Sequence, residues 1–271
     1  MLEGNVKEKS KMGDYCIMML TCDKYSDLWP AYFGQIHKYW NSYNGKIFVN
    51  TERIRKFDFE CNYQISFSKK LYDWDTPWSY RLKDCLEQVE EQYVIFLLDD
   101  FILTDYVDAN EIDNCVDHMK EEADIACFNF LPTPGKKNGK KYDRYELTDR
   151  NMPFRINLQA ALWRKDFLMK FIREHENPWQ FEYWGSIRAR RYKERIYHLS
   201  KDADKVFVYP DGGVIADERW FGEIAIEILQ KEGYFMDFSK RKIYHKGEPR
   251  KTEIVHRNFF EKCWQVFKSL I

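Results

Sequence analysis

The stretch Tyr93-Val94-Ile95-Phe96-Leu97-Leu98-Asp99-Asp100-Phe101 decides how this chain is read. Six uncharged residues, β-branched and aromatic among them, run directly into two adjacent carboxylates. A short apolar run of this kind reads as a strand buried on both faces. Open α/β sheets bind ligands outside the carboxyl ends of their strands. Two acids at such an end crowd negative charge where it is costly unless a cation or donor groups offset it. The pattern points to a metal, and a metal beside an α/β crevice points to phosphate chemistry.

Upstream, residues 15–21 read as a first buried strand, with Asp23, Lys24 and Tyr25 following its carboxyl end. Residues 26–43 read as a helix that tolerates Pro30 near its start. Residues 46–50 and 63–67 read as strands. Thr76-Pro77 predicts a helix start, Thr as N-cap and Pro at the first position. Trp78, Leu82, Cys85, Leu86 and Val89 then share one helical face. Downstream of the acids, Asp105 is the expected cap of a helix whose Ile112, Cys115, Val116 and Met119 share a face. Residues 124–130 read as another strand. This alternation predicts an α/β fold with a mostly parallel central sheet flanked by helices.

The remainder is less regular. Residues 132–152 read as a polar loop carrying the basic tract 136–141, and residues 154–163 as a strand. Residues 166–174 and 218–231 read as helices, 206–209 as a strand and 210–213 as a turn. The organisation expected is a polar extension (1–13), a nucleotide-binding half (14–130), a less regular acceptor-binding half (131–257) and an amphipathic helix (258–271).

Composition narrows the function. With 43 basic and 44 acidic residues the net charge is -1, which argues against a dedicated nucleic-acid binder. Seven cysteines lie scattered without a CxxC pair, as expected of reduced thiols in a cytoplasmic protein. No signal peptide is read at the start, and no apolar run approaches the ~20 residues that span a bilayer.

The segment EEQYVIFLLDDFILTD (residues 90–105) resembles the acidic-motif region of GT-A fold glycosyltransferases of the broad family-two-like group. The preceding PWSYRLKDCLEQVEEQY (residues 77–93) is similar to the helix before that motif in bacterial capsule and lipopolysaccharide enzymes. By pattern the likeness covers residues 14–130, with shorter matches beyond. It implies a Rossmann-like first half, a nucleotide-sugar donor (a UDP-sugar), a glycan or lipid-linked acceptor, a divalent cation (Mn2+ or Mg2+) on the diphosphate, and inversion at the sugar carbon. The family motif is Asp-x-Asp, whereas here it is Asp-Asp-Phe. The resemblance assigns the metal to Asp100 and the nucleotide to Asp99, with Thr21, Asp23 and Tyr25 near the base and ribose.

Other groups admit both a functional reading and a plainer one. Glu182, set among Trp179, Phe181, Tyr183 and Trp184, is a candidate base whose pKa burial raises, with Trp179 and Trp184 offering faces to sugar rings. The alternative is a surface Glu paired with Arg188 or Arg190. Asp75 and Arg81 are donor-site candidates, Arg81 as a fork for the diphosphate. The alternative for Arg81 is an i,i+3 pair with Asp84. The basic run 188–195 is either an anion site or a solvated helix face. Asp211-Gly212-Gly213 either brings backbone close to a ligand or is a plain turn. His245 and His256 are candidate metal or phosphate contacts. The tail from Asn258 either packs on the core or lies peripherally on a membrane with Arg257, Lys262 and Lys268. Two further functional classes stand beside this one. A phosphohydrolase of the haloacid-dehalogenase kind requires Asp-x-Asp-x-Thr, absent here. The other is a non-catalytic carbohydrate-binding protein on the same fold.

Overall fold

The computed structural model describes residues 13–132, 142–248 and 259–271. Its centre is an eight-stranded sheet built from β1 (Tyr15–Leu20), β2 (Lys46–Asn50), β3 (Gln64–Phe67), β4 (Tyr93–Leu98), β5 (Ile125–Asn129), β6 (Tyr145–Leu147), β7 (Ala161–Arg164) and β8 (Arg195–Leu199). The spatial order is β3-β2-β1-β4-β7-β5-β8-β6. Only β7 and β6 run against the common direction. This is the mostly parallel α/β sheet expected from the sequence. Strand β7, from late in the chain, fits between β4 and β5, so both halves of the sequence share one sheet.

The alternation along the strands sorts side chains into two cores. Tyr15, Ile17 and Met19 of β1, with Ile95 and Leu97 of β4, face α1 (Trp29–Tyr39) and α3 (Ala109–Glu121). Cys16, Met18 and Leu20, with Val94 and Phe96, face α2 (Trp78–Glu87), α4 (Lys165–Phe171) and α5 (Pro178–Arg188). Burial on both sides explains the unbroken apolar runs of β1 and β4. It also forces their first polar residues to the carboxyl edge.

A second, three-stranded sheet joins β9 (Ile215–Ala216), β10 (Arg219–Phe221) and β11 (Ile243–Tyr244). The short α6 (Gly222–Ala225) continues into a π-helical turn, Ile226–Gln230. The last helix is α7 (Phe259–Leu270).

Several local expectations are corrected. The helix expected at 26–43 is a 3-10 segment, Asp23–Leu28, followed by α1. Pro77, not Thr76, is the N-cap of α2. Asp108, not Asp105, caps α3, accepting from the Glu111 amide at 3.2 Å. The strand expected over 154–163 is confined to β7, because Phe154 lies at φ 53, outside extended geometry. The loop expected at 132–152 contains β6, and β8 was not foreseen. Residues 206–209 lie beside the segment after β4 without forming a strand, with Val208 O accepting from Thr104 N at 2.9 Å. The helix expected at 218–231 begins as β10. The basic tract 136–141, His256 and Arg257 lie outside the described residues.

The basic run 188–195 divides: Arg188 and Arg195 are ion-paired within the chain, while Arg190, Arg191 and Lys193 are exposed. Arg188 makes a two-pronged pair with Glu176 at 2.8 and 2.9 Å, both residues fully buried. Arg191 and Arg173 donate to the carbonyls of Leu270 (2.7 Å) and Ile271 (2.8 Å), and Arg188 to that of Ser269. Cations at a helix C-terminus satisfy its open carbonyls and oppose its dipole. Arg195 pairs with Asp124 and Glu122. The end of the tail is therefore tied to the protein, while Trp264 and Phe267 stay exposed. No described helix is long and apolar enough to cross a membrane.

Candidate active site at the carboxyl edge of the sheet

Strands β1 and β4 run in register, Leu20 beside Leu98, so the residues after them meet. Thr21 donates its hydroxyl to Asp99 Oδ2 at 2.5 Å, and the indole of Trp29 donates to Thr21 Oγ1 at 3.1 Å. Asp99 is buried at 7 % exposure. Burial, and then the neighbouring Asp100 charge, hold its pKa well above the usual carboxylate range.

Asp100 is gripped from the other side by the chain that enters β9. Its carbonyl accepts from the Val214 amide at 3.1 Å, and the Ile215 backbone partly offsets the effect of burial on its carboxyl pKa. Gly213, at φ +73, lies so close that a Cβ there would sit 2.3 Å from Asp100 Oδ2. The glycine is needed twice over, for its left-handed backbone and for this contact. The turn at 210–213, closed by Gly213 N to Pro210 O at 2.9 Å, thus shapes the site rather than merely reversing the chain. Burial pushes the Asp100 pKa up to about 7. Among the described residues no ion pair reaches either aspartate.

This donor set can be tested against a divalent cation. Among the described residues no three His, Cys, Asp or Glu side chains converge as a cage. One carboxylate does fit Mg2+ or Mn2+ bound through few protein ligands, with water and substrate phosphate oxygens completing the shell. Asp100 fits that arrangement.

Asp23 receives the Thr51 hydroxyl (2.6 Å) and the amides of Arg53 (3.0 Å) and Ile54 (3.2 Å). Its own amide donates to Glu52 at 2.6 Å, and Glu52 pairs with Arg81 at 2.8 Å. The expected alternative for Arg81 is thereby corrected, since Asp84 is occupied by Lys70, Tyr72 and Gln88. Tyr25 is half-buried, and Arg241 lies over its ring at 4.1 Å. Arg241 also pairs with Asp27 at 2.8 Å and donates to the carbonyls of Lys24 and Glu218. It locks the 3-10 segment to the small sheet, a role with no signal in the sequence. Asp75 and His245 are exposed.

Glu182 sits on α5, whose start is fixed by the Asn177/Gln180 capping box. Its carboxylate accepts from the Leu158 amide at 2.8 Å. Leu158 precedes β7 by three residues, and Phe96 pairs with Ala161. Glu182 therefore belongs to the same edge of the sheet as the aspartates. Nearby, Tyr209 stacks on Phe101 at 4.2 Å and reaches Gln159 at 3.5 Å. Burial raises the Glu182 pKa, partly offset by the Leu158 N–H. The alternative pairing with Arg188 does not form, as Arg188 belongs to Glu176. Trp179 is largely exposed, while Trp184 is half-buried against Tyr183. Three cavities of about 490, 350 and 340 Å³ lie elsewhere, none lined by Asp99, Asp100 or Glu182.

No family model and no curated protein matches this chain. Solved structures give slight likenesses. TarS of S. aureus aligns with TM-score 0.46 and 10% identity, over 83% of this chain and 41% of that one. Its 1–349 form gives 0.46 and 13%, over 83% and 67%. A protein described as a nucleotide-diphospho-sugar transferase from Desulfovibrio desulfuricans gives 0.40 and 11%, over 70% and 80%. A cytidylyltransferase from Leptospira borgpetersenii gives 0.38 and 10%, over 74% and 82%.

Proposed function

We propose that this protein is a glycosyltransferase that moves a sugar from a nucleotide-sugar donor, of the UDP-sugar class, to an acceptor hydroxyl, with inversion. The observation that carries this reading is the Asp99-Asp100 pair at the end of β4, beside Thr21 of β1, with no ion-pair partner among the described residues. Asp100 would hold a divalent cation on the donor side of the site. Bound there, the cation supplies Lewis-acid charge for the departing nucleoside diphosphate.

The chain's own groups do the rest. Gly213 and the Ile215 backbone border the Asp100 carboxylate. Thr21 keeps Asp99 hydrogen-bonded at 2.5 Å beneath the nucleotide side of the cleft. Asp23, Glu52 and Arg81 brace the segment after β1, where Tyr25 meets the nucleoside. Asp75 and Arg81 border the donor side. Glu182, with its raised pKa, takes the proton from the attacking hydroxyl, and Trp179 and Trp184 receive the acceptor's sugar rings. The acceptor is a glycan or a lipid-linked glycan.

The test is a nucleotide-sugar panel with Mn2+, read as nucleoside diphosphate release with and without simple sugar acceptors. Turnover of at least one donor is expected. Glu182→Gln should slow it about 10²- to 10⁴-fold while leaving UDP affinity unchanged. A panel that yields neither binding nor release sinks the proposal.

A further inference from the structure

A cavity of about 340 Å³ opens at the opposite, amino edge of the sheet, where β6 ends and β8 begins. Its lining brings together Arg150, Arg155, Lys193 and Arg195 against two carboxylates, Asp149 and Glu194. The decisive residue is Arg155, buried at 2 % exposure. Its guanidinium donates to Thr148 Oγ1 (3.4 Å), Ala189 O (2.9 Å) and Glu194 O (3.1 Å). All three acceptors are neutral, and among the described residues no carboxylate forms an ion pair with it. A guanidinium has five N–H donors, so two remain for a ligand.

A buried charge is normally paired, and an unpaired one is costly. Arg188 in the same protein shows the paired case, with Glu176 filling the role. At Arg155 no carboxylate forms an ion pair among the described residues, and Asp149 and Glu194 of the cavity lining act on it only through space. Of the two lining acids, Asp149 accepts the Asn151 amide at 2.7 Å and so serves its own turn. Arg195 is held by Glu122 and Asp124. Arg150 and Lys193 are exposed at the cavity mouth. We infer that this cavity is a second ligand site, separate from the carboxyl-edge cleft, that takes a phosphate or diphosphate group on Arg155 with Arg150 and Lys193 at its mouth. A planar guanidinium fork suits phosphate oxygens, and flanking cations strengthen such bonds.

The experiment is calorimetric titration of the full chain with inorganic phosphate and inorganic pyrophosphate, without divalent cations and at fixed ionic strength. Arg150→Glu and Lys193→Glu change exposed residues and leave the fold intact, so the test does not rest on replacing buried Arg155. Saturable binding, weakened tenfold or more by each of these changes and unchanged by Asp100→Asn, is the expected result. Pelleting with phosphatidic-acid vesicles separates a lipid headgroup from a free phosphate, and dependence on Arg150 and Lys193 in either arm supports the site. Binding lost in Asp100→Asn but kept in both charge reversals overturns it, as does an effect that sodium chloride reproduces. Absence of binding in every arm overturns it too.

Discussion

The Glu176–Arg188 pair and the Asp99–Asp100 pair are built oppositely. Glu176 and Arg188 meet through two hydrogen bonds at 2.8 and 2.9 Å, each fully buried and each the other's counter-ion. Asp99 and Asp100 are like charges side by side, with a hydroxyl and backbone groups about them. The first cluster is complete within the chain and ties α5 to the segment before it. The second has no ion-pair partner among the described residues, and burial raises both of its pKa values; in the proposed function a cation from outside completes it. Burial alone does not separate structure from function here; the presence or absence of an internal counter-ion does.

That contrast can be broken by substitution. Asp100→Asn keeps the side chain's shape and removes the charge. We expect cation-dependent turnover to fall by about 10³-fold or more, or roughly 4 kcal/mol, while the melting temperature holds or rises. Glu176→Ala should do the reverse. It strands Arg188 and should cost about 3–5 kcal/mol in denaturant unfolding. If the two variants exchanged these phenotypes, the distinction would be wrong.

Smaller effects sharpen it. Gly213→Ala sets a Cβ 2.3 Å from the Asp100 carboxylate at a φ of +73. It should cost about 1–2 kcal/mol through the left-handed backbone and weaken cation binding as the carboxylate is displaced. The binding loss separates this glycine from an ordinary turn glycine and is measured by Mn2+ titration.

The pH dependence is smaller still and its sign is fixed. Asp100 rises from the usual 3.8 to about 7 on folding. Between these values the folded protein keeps a proton that the unfolded chain has released, so stability declines as pH rises through that window and levels off above it. A cation must displace that proton, so affinity should gain about tenfold per pH unit below 7 and plateau beyond. Thermal unfolding at pH 5 and pH 8 without divalent cations, compared with Asp100→Asn, isolates the Asp100 contribution.

The fold and the site were legible in the sequence to different depths. Strands β1 and β4 stood out because burial on both faces leaves a continuous apolar run. The faces of α2 and α3 were readable because Leu82, Leu86, Ile112 and Val116 follow the helical period. Strand β8, Arg195–Leu199, mixes a cation and a histidine into five residues and gives no period-two signal. The β9–β10 hairpin was hidden for another reason. Its turn places Asp217 and Glu218 at φ 54 and 63, where Asn-Gly would have announced it. The aspartate pair was visible as chemistry, but its clamp was not. Gly213 lies over a hundred positions downstream, and only the folding of β9 onto the edge of β4 brings it to Asp100. Arg188 misled as part of a basic run because pairing with Glu176 is a tertiary fact.

The most direct measurement is calorimetric titration of UDP, with and without Mn2+, on the native protein and on Asp100→Asn. With Asp100 as the cation's anchor, Mn2+ tightens UDP by tenfold or more in the native protein and has no effect in the variant. Equal UDP affinity with and without Mn2+ in the native protein, or full Mn2+ enhancement in Asp100→Asn, would contradict it.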